Sequence, residues 1–402
     1  MADTILVINA GSSSIKFQLF AIEPGEQLDR RLKGQIEGIG TRPRLFANDA
    51  NGECAVDQSW TTDEVSELHQ ALEKLVVFLR EYVGSLPVAI GHRVVHGGPE
   101  FIEPTLVNSW ILDHLLRFVP LAPLHQPNNL APIRIVLERL PHLLQVACFD
   151  TAFHRHHSEI ADRYAIPDRF YREGVRRYGF HGLSYEYIAL RLPLVAPEIA
   201  DDRVVVAHLG SGASMCALKG GKSIESSMGF TALDGLPMGT RPGQIDAGVV
   251  LYLMNEKGMT VKDVEHFLYH DCGLKGLSGI SNDVRDLLTS VDPKAKMALD
   301  YFAYRIALFG GMLATALGGI DGLVFTAGIG ENAPTIRQAV ADRMSCFGIK
   351  LSEVANAKNE LCISSESSRV TCYVVPTDEE LMIARHTLQV LQKHEMPEER
   401  RA

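Results

Sequence analysis

The amino-acid sequence predicts an α/β protein built from two duplicated domains. The first observation is the segment Ile5–Phe20, where an apolar run, a Gly-Ser-Ser-Ser turn and an alternating run predict two strands in a hairpin. The second is that Val204–Leu218 aligns with Ile5–Leu19 without a gap, at an offset of 199 residues in a chain of 402. A strand–turn–strand unit that recurs at half the chain length indicates a duplicated domain.

Both hairpin turns are suited to binding an anion. Gly11 aligns with Gly210, and the turns consist of glycine and other small residues whose backbone N–H groups can approach an anion closely. Lys16, just past the first turn, is a point charge suited to phosphate. A Walker A loop is excluded, because the GxxxxGK[ST] pattern is absent. An ordinary Gly-Ser hairpin would explain one such turn, but their recurrence favours a pair of turns that hold a polyphosphate.

Composition and charge restrict the class of protein. A hydrophobic content of 46% and a charged content of 22% are typical of a soluble globular protein. The net charge of −10 argues against nucleic acid or an anionic membrane as partner, because both require a basic face. The 7 cysteines include no CxxC pair, so neither a disulfide framework nor a zinc site is predicted. Met1 leads directly into the first predicted strand, so we expect no signal peptide and a cytoplasmic location.

Periodicity and turn chemistry predict the elements that carry the candidate site. In chain order they are a helix after a capping box at Thr61–Glu64, a strand within Pro87–Gly98, helices over Asn108–Phe118 and Ala131–Leu140, a buried strand over Leu144–Asp150, a long buried helix over Met297–Ile320, a strand and glycine turn over Gly322–Asn332, and a last helix from Asp378.

We expect the domain boundary near Asp150, as a hinge beside an interdomain cleft, because no low-complexity linker separates the halves. Residues 1–150 would form the first domain, and residues 151–383 the second, with most of the nucleotide site. The terminal helix, 384–402, would pack back on the first domain.

Two arginines stand out by their glycine-rich surroundings. Arg93 lies in Gly-His-Arg-Val-Val-His-Gly-Gly and Arg241 in Met-Gly-Thr-Arg-Pro-Gly. An arginine in such a loop is poorly placed for packing, but it can donate two parallel hydrogen bonds to a carboxylate or phosphoryl group. A surface ion pair is the alternative for each.

Oxygen and imidazole groups complete the set of candidates. Asp150, at a strand end, could hold Mg²⁺, act as a base, or cap the following helix. His181 could donate to developing negative charge or serve a structural role. Asn9 and Glu379 supply oxygens that suit the water-rich coordination of Mg²⁺ near phosphates.

Together these segments resemble the acetate kinase (acetokinase) family, within the acetate and sugar kinase/Hsp70/actin superfamily. The resemblance spans essentially the whole chain and rests on motifs that occur in order: Asn9-Ala-Gly-Ser-Ser-Ser-Ile-Lys16, Gly91-His-Arg-Val-Val-His-Gly-Gly98, Phe149-Asp-Thr-Ala-Phe-His154, Arg177-Tyr-Gly-Phe-His-Gly182, His208-Leu-Gly-Ser-Gly212, Met238-Gly-Thr-Arg241, Asp283-Val-Arg285, Gly328-Ile-Gly-Glu-Asn332 and Pro376-Thr-Asp-Glu-Glu380. It implies an α/β fold of duplicated ribonuclease H-like, actin-like ATPase domains with an interdomain cleft.

The resemblance also implies a role for each matching position. Asp150, His181 and Arg241 would be catalytic, the last two by stabilising the transition state. The acetate carboxylate would be held by Arg93, and its methyl group by Val95, Leu124, Phe180 and Ala232. Contacts to ATP or ADP would come from Lys16, His208, Leu209, Gly210, Ser211, Gly212, Asp283, Val284, Arg285, Gly328, Ile329, Gly330, Glu331 and Asn332. Asn9 and Glu379 would coordinate Mg²⁺, with Mn²⁺ as a substitute.

The implied reaction is reversible, direct in-line phosphoryl transfer from ATP to acetate, which yields acetyl phosphate and ADP and feeds acetyl-CoA formation. The family further implies a homodimer. Alternatives are a propionate or other short-chain acyl kinase, an Hsp70- or actin-like ATPase module, and a sugar kinase.

Two departures from the family pattern bear on the choice. Ser211 stands where asparagine is common, for which we expect altered kinetics, and Ala232 stands where proline is common, which would loosen the methyl pocket.

Overall fold

A computed structural model describes residues 3–11 and 13–395, and these form two compact units. The first unit consists of the described residues up to Ala152 together with those from Asp378 onward, and the second is Phe153–Thr377. This division differs from the expected one after residue 377, because the terminal helix begins at Glu379 and lies wholly in the first unit. An expected boundary at residue 383 would cut that helix. Residues 396–402 of the expected helix 384–402 lie outside the described residues.

The strands are short and mostly buried. They are β1 (Thr4–Ala10), β2 (Ile15–Glu23), β3 (Gln27–Glu37), β4 (Arg44–Asp49), β5 (Cys54–Ser59), β6 (Ala89–Val94), β7 (Thr105–Leu106), β8 (Leu144–Phe149), β9 (Arg203–Leu209), β10 (Ala213–Lys219), β11 (Lys222–Ser226), β12 (Gly322–Thr326) and β13 (Thr371–Val374).

The helices range from single turns to one helix of 25 residues at Pro293–Leu317, which buries one face only and is not buried throughout as predicted. They are α1 (Leu68–Val83), α2 (Ser109–Leu116), α3 (Gln126–Arg139), α4 (Glu159–Asp162), α5 (Asp168–Arg172), α6 (Gly182–Val195), α7 (Ala247–Asn255), α8 (Val261–His270), α9 (Gly273–Ser278), α10 (Val284–Thr289), α11 (Pro293–Leu317), α12 (Ala327–Asn332), α13 (Pro334–Arg343), α14 (Glu353–Ala357) and α15 (Glu379–Glu395). Short 3₁₀ helices occur at Val119–Leu121, Ala152–His154 and Ser345–Phe347.

The first unit is built on a mixed sheet with strand order β5-β4-β3-β2-β1-β6-β8-β7. Strands β1, β6 and β8 are parallel, and β1 to β5 form an antiparallel meander. One face of the sheet packs against α1 in an apolar core that includes Phe17, Leu19 and Leu75. On the other face α15 packs so closely on β6 that a Cβ at Gly91 would lie 2.6 Å from Ile383 and 2.4 Å from Thr387.

The second unit repeats the centre of this design in the order β11-β10-β9-β12-β13. Strands β9, β12 and β13 are parallel, and β9 to β11 are antiparallel. The β1–β2 hairpin pairs Thr4 with Ala21 and Ala10 with Ile15, and the β9–β10 hairpin pairs Arg203 with Lys219 and Leu209 with Ala213. The predicted α/β class and the hairpin that recurs at half-length are confirmed.

Two predicted helix starts are wrong. The Thr61–Glu64 box does form, since Glu64 accepts hydrogen bonds from the Thr61 N–H and hydroxyl at 2.9 Å, but it closes only a turn. The helix begins at Leu68, where the Gln70 side chain accepts from the Glu67 N–H at 3.1 Å. Helix α3 begins at Gln126 rather than Ala131, because a proline in the first turn is compatible with helix geometry.

Within the described residues, no helix combines the length and apolarity needed to span a membrane.

A buried histidine in the first sheet makes the stability of this fold depend on pH. His92 is 1% exposed, and its Nε2 lies 2.9 Å from Oε1 of Gln145 on the neighbouring strand. Burial lowers the pKa of His92 to about 4. The folded chain therefore keeps this imidazole neutral, whereas the unfolded chain protonates it below about 6.5.

Because the unfolded state binds this proton and the folded state does not, the free energy of unfolding should fall as the pH is lowered from 7 to 4. For His92 alone the loss is about 3 kcal/mol at pH 4. We expect His92→Gln to reduce the pH dependence over this interval, measured by urea unfolding followed by circular dichroism. The exposed His142→Gln is the control and should leave it unchanged. An identical pH dependence in His92→Gln and the parent would contradict this prediction.

Candidate active site

The ends of two neighbouring parallel strands bring Arg93 and Asp150 together in the first unit. Arg93 donates from Nε to Oδ1 of Asp150 at 3.0 Å and from Nη2 to Oδ2 at 2.7 Å. The Asp150 side chain is 2% exposed and that of Arg93 is 19% exposed. Carboxyl ends of parallel strands are where α/β proteins present polar groups to ligands. This bidentate pair fixes the guanidinium plane while three of its five N–H groups stay available to a ligand.

A second carboxylate joins this pair from the start of α15. Oε2 of Glu379 lies 3.7 Å from Nε of Arg93. Burial, together with the negative charges of Asp150 and Glu380, raises the pKa of Glu379 to about 7, against the opposing effect of Arg93 and Lys16. Burial lowers the pKa of Arg93, but the charges of Asp150 and Glu379 outweigh it and raise that pKa above its usual value. The site therefore carries excess negative charge that a cation would relieve.

The ligand types available suit magnesium better than a metal held by protein alone. Among the described residues, no group of three or more His, Cys, Asp or Glu side chains is close enough to form a metal centre. Asn9 is half-buried at the end of β1, and Glu379 is 15% exposed at the start of α15. A site with one or two protein oxygens fits Mg²⁺, which usually keeps several waters and binds phosphate oxygens.

Buried amides hold the loop that follows Arg93. The Val95 N–H donates to Oδ1 of Asn129 at 3.0 Å, and Nδ2 of Asn129 donates to the Ala10 carbonyl at 2.9 Å. Gln126 makes similar contacts to both backbone groups of His96. Neither amide was identified from the sequence, because the helix was predicted to begin only at Ala131 and both residues precede it. Of the two predicted methyl-binding residues of this unit, Val95 is buried, with 7% exposure, whereas Leu124 is exposed, at 37%.

In the second unit, a strained backbone positions His181 at the start of α6. His181 has φ of 57°, a left-handed conformation that is uncommon outside glycine. Its Nδ1 lies 2.8 Å from the Ser214 hydroxyl of β10. The preceding carbonyl, of Phe180, accepts a hydrogen bond of 2.9 Å from Nε2 of His154, and burial lowers the pKa of His154 to about 4. His154 therefore supports this loop as a neutral imidazole.

Gly212 brings His181 and Arg241 to one point. A Cβ added at Gly212 would lie 3.1 Å from Nη2 of Arg241 and 3.3 Å from Nε2 of His181. Nη1 of Arg241 donates to the Ala232 carbonyl at 2.8 Å, and burial lowers the pKa of Arg241. Two nitrogens that can donate to an anion thus converge beside a turn without a side chain.

His208 extends this cluster. Its ring stacks on that of His181 with centroids 4.2 Å apart, and its Nδ1 lies 2.8 Å from the Ser184 hydroxyl. That hydroxyl lies 2.9 Å from the Thr377 hydroxyl. The sequence indicated His208 through its turn, but it contained no signal for the stacking.

Three predicted nucleotide-binding segments line one pocket of about 610 Å³ within the second unit. This volume is in the range of small-molecule and cofactor sites. The predicted residues that line it are Gly210, Ser211, Asp283, Val284, Arg285, Gly328, Ile329 and Asn332, and they are joined by Asn282, Leu288 and Ala333.

Several residues of the same motifs lie elsewhere in the unit. Leu209 is fully buried in β9, and Gly330 is buried in α12. Glu331 accepts a hydrogen bond from the Thr377 N–H at 3.2 Å. Phe180 is 2% exposed, and Ala232 is half-buried. Among the described residues, five predicted nucleotide contacts of this unit do not line this pocket: His208, Leu209, Gly212, Gly330 and Glu331. Leu209 is the last residue of β9, and Gly330 and Glu331 belong to α12, so they lie within the elements that form its walls.

Arg337 was missed by the sequence analysis and supports the same wall. It is fully buried and donates from Nη1 to the carbonyls of Gly330 and Glu331, at 2.8 and 3.0 Å. Its Nε and Nη2 donate to Oδ1 and the carbonyl of Asn356, and Nη2 also to Oδ1 of Asn359. Burial lowers the pKa of Arg337 to about 10. The last carbonyls of α12 are thereby satisfied by a cation.

Known proteins resemble this chain along nearly its whole length. The model of the acetokinase family matches residues 4–385. An acetate kinase of Nitrobacter hamburgensis is 61% identical over 389 residues, which cover 97% of this chain and 96% of that protein. The crystal structure of Porphyromonas gingivalis acetate kinase has a TM-score of 0.86 and 37% identity, covering 97% of this chain and 100% of that one.

A solved propionate kinase of Francisella tularensis is similar to the same degree, with a TM-score of 0.89, 36% identity and coverage of 96% of this chain and 99% of that one. The family resemblance predicted from the ordered motifs is thus confirmed along the chain. Matches of this extent and identity show that the chain belongs to the acetokinase family.

Proposed function

We propose that this protein is an acetate kinase, which transfers the γ-phosphoryl group of ATP directly and reversibly to acetate, giving acetyl phosphate and ADP. Membership of the acetokinase family supports a phosphotransferase with a carboxyl acceptor. The observation that carries the proposal is the convergence of Arg241 and His181 on Gly212, beside a nucleotide-sized pocket. An Hsp70-like or actin-like module and a sugar kinase are not supported, since the family model spans nearly the whole chain.

The chemistry needs charge stabilisation more than proton transfer. Acetate is ionised at neutral pH, so the attacking oxygen needs no general base. The transferred phosphoryl group develops a loose, metaphosphate-like transition state whose charge is spread over its oxygens. In the second unit, Arg241 and His181 would donate to those oxygens, with the Gly212 turn against the phosphates. In the first unit, Arg93 would bind the acetate carboxylate through the N–H groups that Asp150 does not use.

A magnesium ion would neutralise charge on the β- and γ-phosphates, and Mn²⁺ would serve as a substitute. Asn9 and Glu379 are the residues proposed to hold it. The proximity of Asp150 and Glu380, which raises the pKa of Glu379, supports a cation there. Lys16 would contact the phosphates from the first hairpin.

Asp150 is proposed to act through Arg93. It is 2% exposed, and both of its oxygens accept hydrogen bonds from the guanidinium. A buried carboxylate in this geometry orients the Arg93 guanidinium that would bind acetate, and it balances the positive charge of that guanidinium. General-base work is chemically unnecessary for a carboxylate acceptor.

Propionate is the second candidate acceptor. The proposed methyl-binding residues are Val95, Leu124, Phe180 and Ala232, and Ala232 has only one side-chain carbon. An additional methylene changes binding in an apolar pocket by about 1–3 kcal/mol, so a small residue here can decide between the two acids. Acetate is preferred in the proposal because acetate kinases have the higher sequence identities.

The direct test is ADP formation from ATP and Mg²⁺ with acetate, propionate, butyrate or glycerol, with hydroxylamine present to trap acyl phosphate. Hydroxamate with the highest kcat/KM for acetate would support the proposal. A higher kcat/KM for propionate than for acetate would identify propionate as the preferred acceptor. ATP turnover without hydroxamate would overturn the acyl kinase function.

A homodimer in the cytoplasm is part of the proposal. One face of α11 carries apolar residues at spacings of three or four, each between 36% and 50% exposed: Met297, Tyr301, Tyr304, Leu308 and Met312. Contiguous apolar surface of this kind marks interaction sites. A second copy of the chain is the proposed partner, because a two-fold interface can pair this stripe with itself.

Replacing Arg241 with alanine should reduce kcat by at least about 10²-fold, because a donor to the transition-state charge is lost. The KM for ATP should change less. Steady-state kinetics with acetate measure both constants. Arg172→Ala, in which an arginine with an 81% exposed side chain is removed, is the matched control and should retain the parent kcat. A folded Arg241→Ala protein with near-parent kcat would reject the assignment.

Asp150→Asn should lower kcat/KM for acetate by at least about 30-fold, since removing one partner of a buried charge pair costs roughly 2–5 kcal/mol. If Asp150 acts by orienting Arg93, the acetate KM should rise strongly, and Arg93→Ala should raise it in the same way. Loss of kcat with an unchanged acetate KM would instead indicate that Asp150 takes part in the chemical step.

Leu308→Glu should dissociate the proposed dimer, because it places a charge within the apolar stripe. Light scattering after size exclusion should give twice the 44.2 kDa chain mass for the parent and the single chain mass for the variant. Val354→Glu, at a residue 64% exposed in α14, is the control and should stay dimeric. A monomeric parent would refute the dimer.

A further inference from the structure

The first unit contains a second pocket, which none of the proposed roles explains. It has a volume of about 600 Å³ and lies over strands β2, β3 and β4. This is the sheet face opposite the α1 core, because Phe17 and Leu19 of β2 point into that core whereas Lys16 and Gln18 alternate with them. Helix α15 packs on this face over β1, β6 and β8, and its residue Glu380 lines one side of the pocket. The meander beyond β1 is left as a polar concave surface.

Basic side chains gather in this pocket through the strand register. Gln18 pairs with Lys33, and Phe20 pairs with Arg30 across the β2–β3 ladder, so both cations lie on the same face as Lys16. Arg30 and Lys33 are exposed, and neither forms an ion pair with another residue of 3–11 or 13–395. All three cations line the pocket.

The pocket is lined by two acids against three cations. Oδ1 of Asp49 accepts the backbone N–H groups of Asn51 and Glu53, both at 2.9 Å, within the β4–β5 turn. Glu380 lines one side of the pocket, and its negative charge also contributes to raising the pKa of Glu379. The cations are therefore in excess where the pocket opens, although the chain as a whole has a net charge of −10.

A buried amide whose oxygen has no partner among the described residues also lines this pocket. Gln18 is 3% exposed, and among the described residues its Oε1 has no hydrogen-bond partner. A buried polar atom without a hydrogen-bond partner costs about 1–3 kcal/mol, so native structures usually provide a partner for it. Because the side-chain amide can turn over, it can offer either a donor or an acceptor to a ligand.

We propose that this pocket binds a phosphate monoester of a small metabolite. The dianionic phosphate would form ion pairs with Arg30 and Lys33, which lie on the same strand. The Arg30 guanidinium can donate two parallel hydrogen bonds, and the Lys33 ammonium supplies a compact positive charge. A hydroxyl or N–H of the ester would satisfy Gln18. The pocket volume lies within the range of metabolite sites. Binding does not depend on the proposed kinase function, but Lys16 is common to this pocket and the proposed phosphate contact. Occupancy would therefore raise the KM for ATP.

The test is calorimetric titration of the full chain, saturated with Mg·ADP, with glucose 6-phosphate, glycerol 3-phosphate and AMP in turn. Glucose is the uncharged control. We expect at least one monoester to bind, and Arg30→Gln/Lys33→Gln to weaken it at least about tenfold. Lys219→Gln/Lys222→Gln removes two exposed cations from β10 and β11 of the second unit and should bind like the parent. Failure of every monoester to bind, or equal binding by the Arg30→Gln/Lys33→Gln protein, would overturn the site.

The variant Gln18→Leu distinguishes whether the Gln18 amide binds the ligand or only supports the fold. Replacing an unpaired buried amide by an apolar group of similar shape should leave thermal stability equal or higher, while monoester affinity falls. Lower stability with unchanged affinity would show that Gln18 serves the fold alone. Because calorimetry reports binding without turnover, an inactive enzyme that still binds the monoester would reject the kinase proposal and leave the pocket standing.

Discussion

The buried ion pair between Arg93 and Asp150 is the constraint on which the first unit's site depends. Neither charge could be buried alone, because desolvation of an unpaired ion costs several kcal/mol. Two parallel strands end side by side, and each contributes one member of the pair. The pairing settles the direction of the guanidinium, and Glu379 then adds negative charge beside it. A carboxylate ligand and a cation would both find their complementary charge in place before binding.

The duplicated hairpin serves different purposes in the two units. In the second unit, the absence of a side chain at Gly212 lets Arg241 and His181 approach the turn. In the first unit, β2 runs past the turn into the wide antiparallel meander, and its outward residues Lys16 and Gln18 line a pocket. The strand pairing recurs in both units, whereas the residues around each turn differ in their chemistry. A fold of this kind carries function in the sites placed on it, not in the backbone alone.

The candidate site of each unit depends on buried polar groups for which no ligand contact is proposed. His154 supports the Phe180 carbonyl beside the strained His181, and Arg337 satisfies the carbonyls at the end of α12. Asn129 connects the Val95 backbone with that of Ala10. Such groups limit the positions of the loops that would contact substrates, since each loop is tied by hydrogen bonds in a low-dielectric interior. Loops held in this way need less reorganisation during a reaction that requires accurately placed charges.

The sequence by itself determined the α/β class, the duplicated hairpin, the family and the candidate charged residues, because these depend on short-range periodicity and ordered motifs. Only the tertiary structure paired Arg93 with Asp150 across 57 residues, and placed Arg241 beside His181 and Gly212. It also corrected the start of α1, revealed Arg337 and showed that, among the described residues, the amide oxygen of Gln18 has no hydrogen-bond partner. The physical reason is that local patterns specify strands, helices and turns, whereas hydrogen bonding and desolvation of a side chain depend on distant residues that packing brings near.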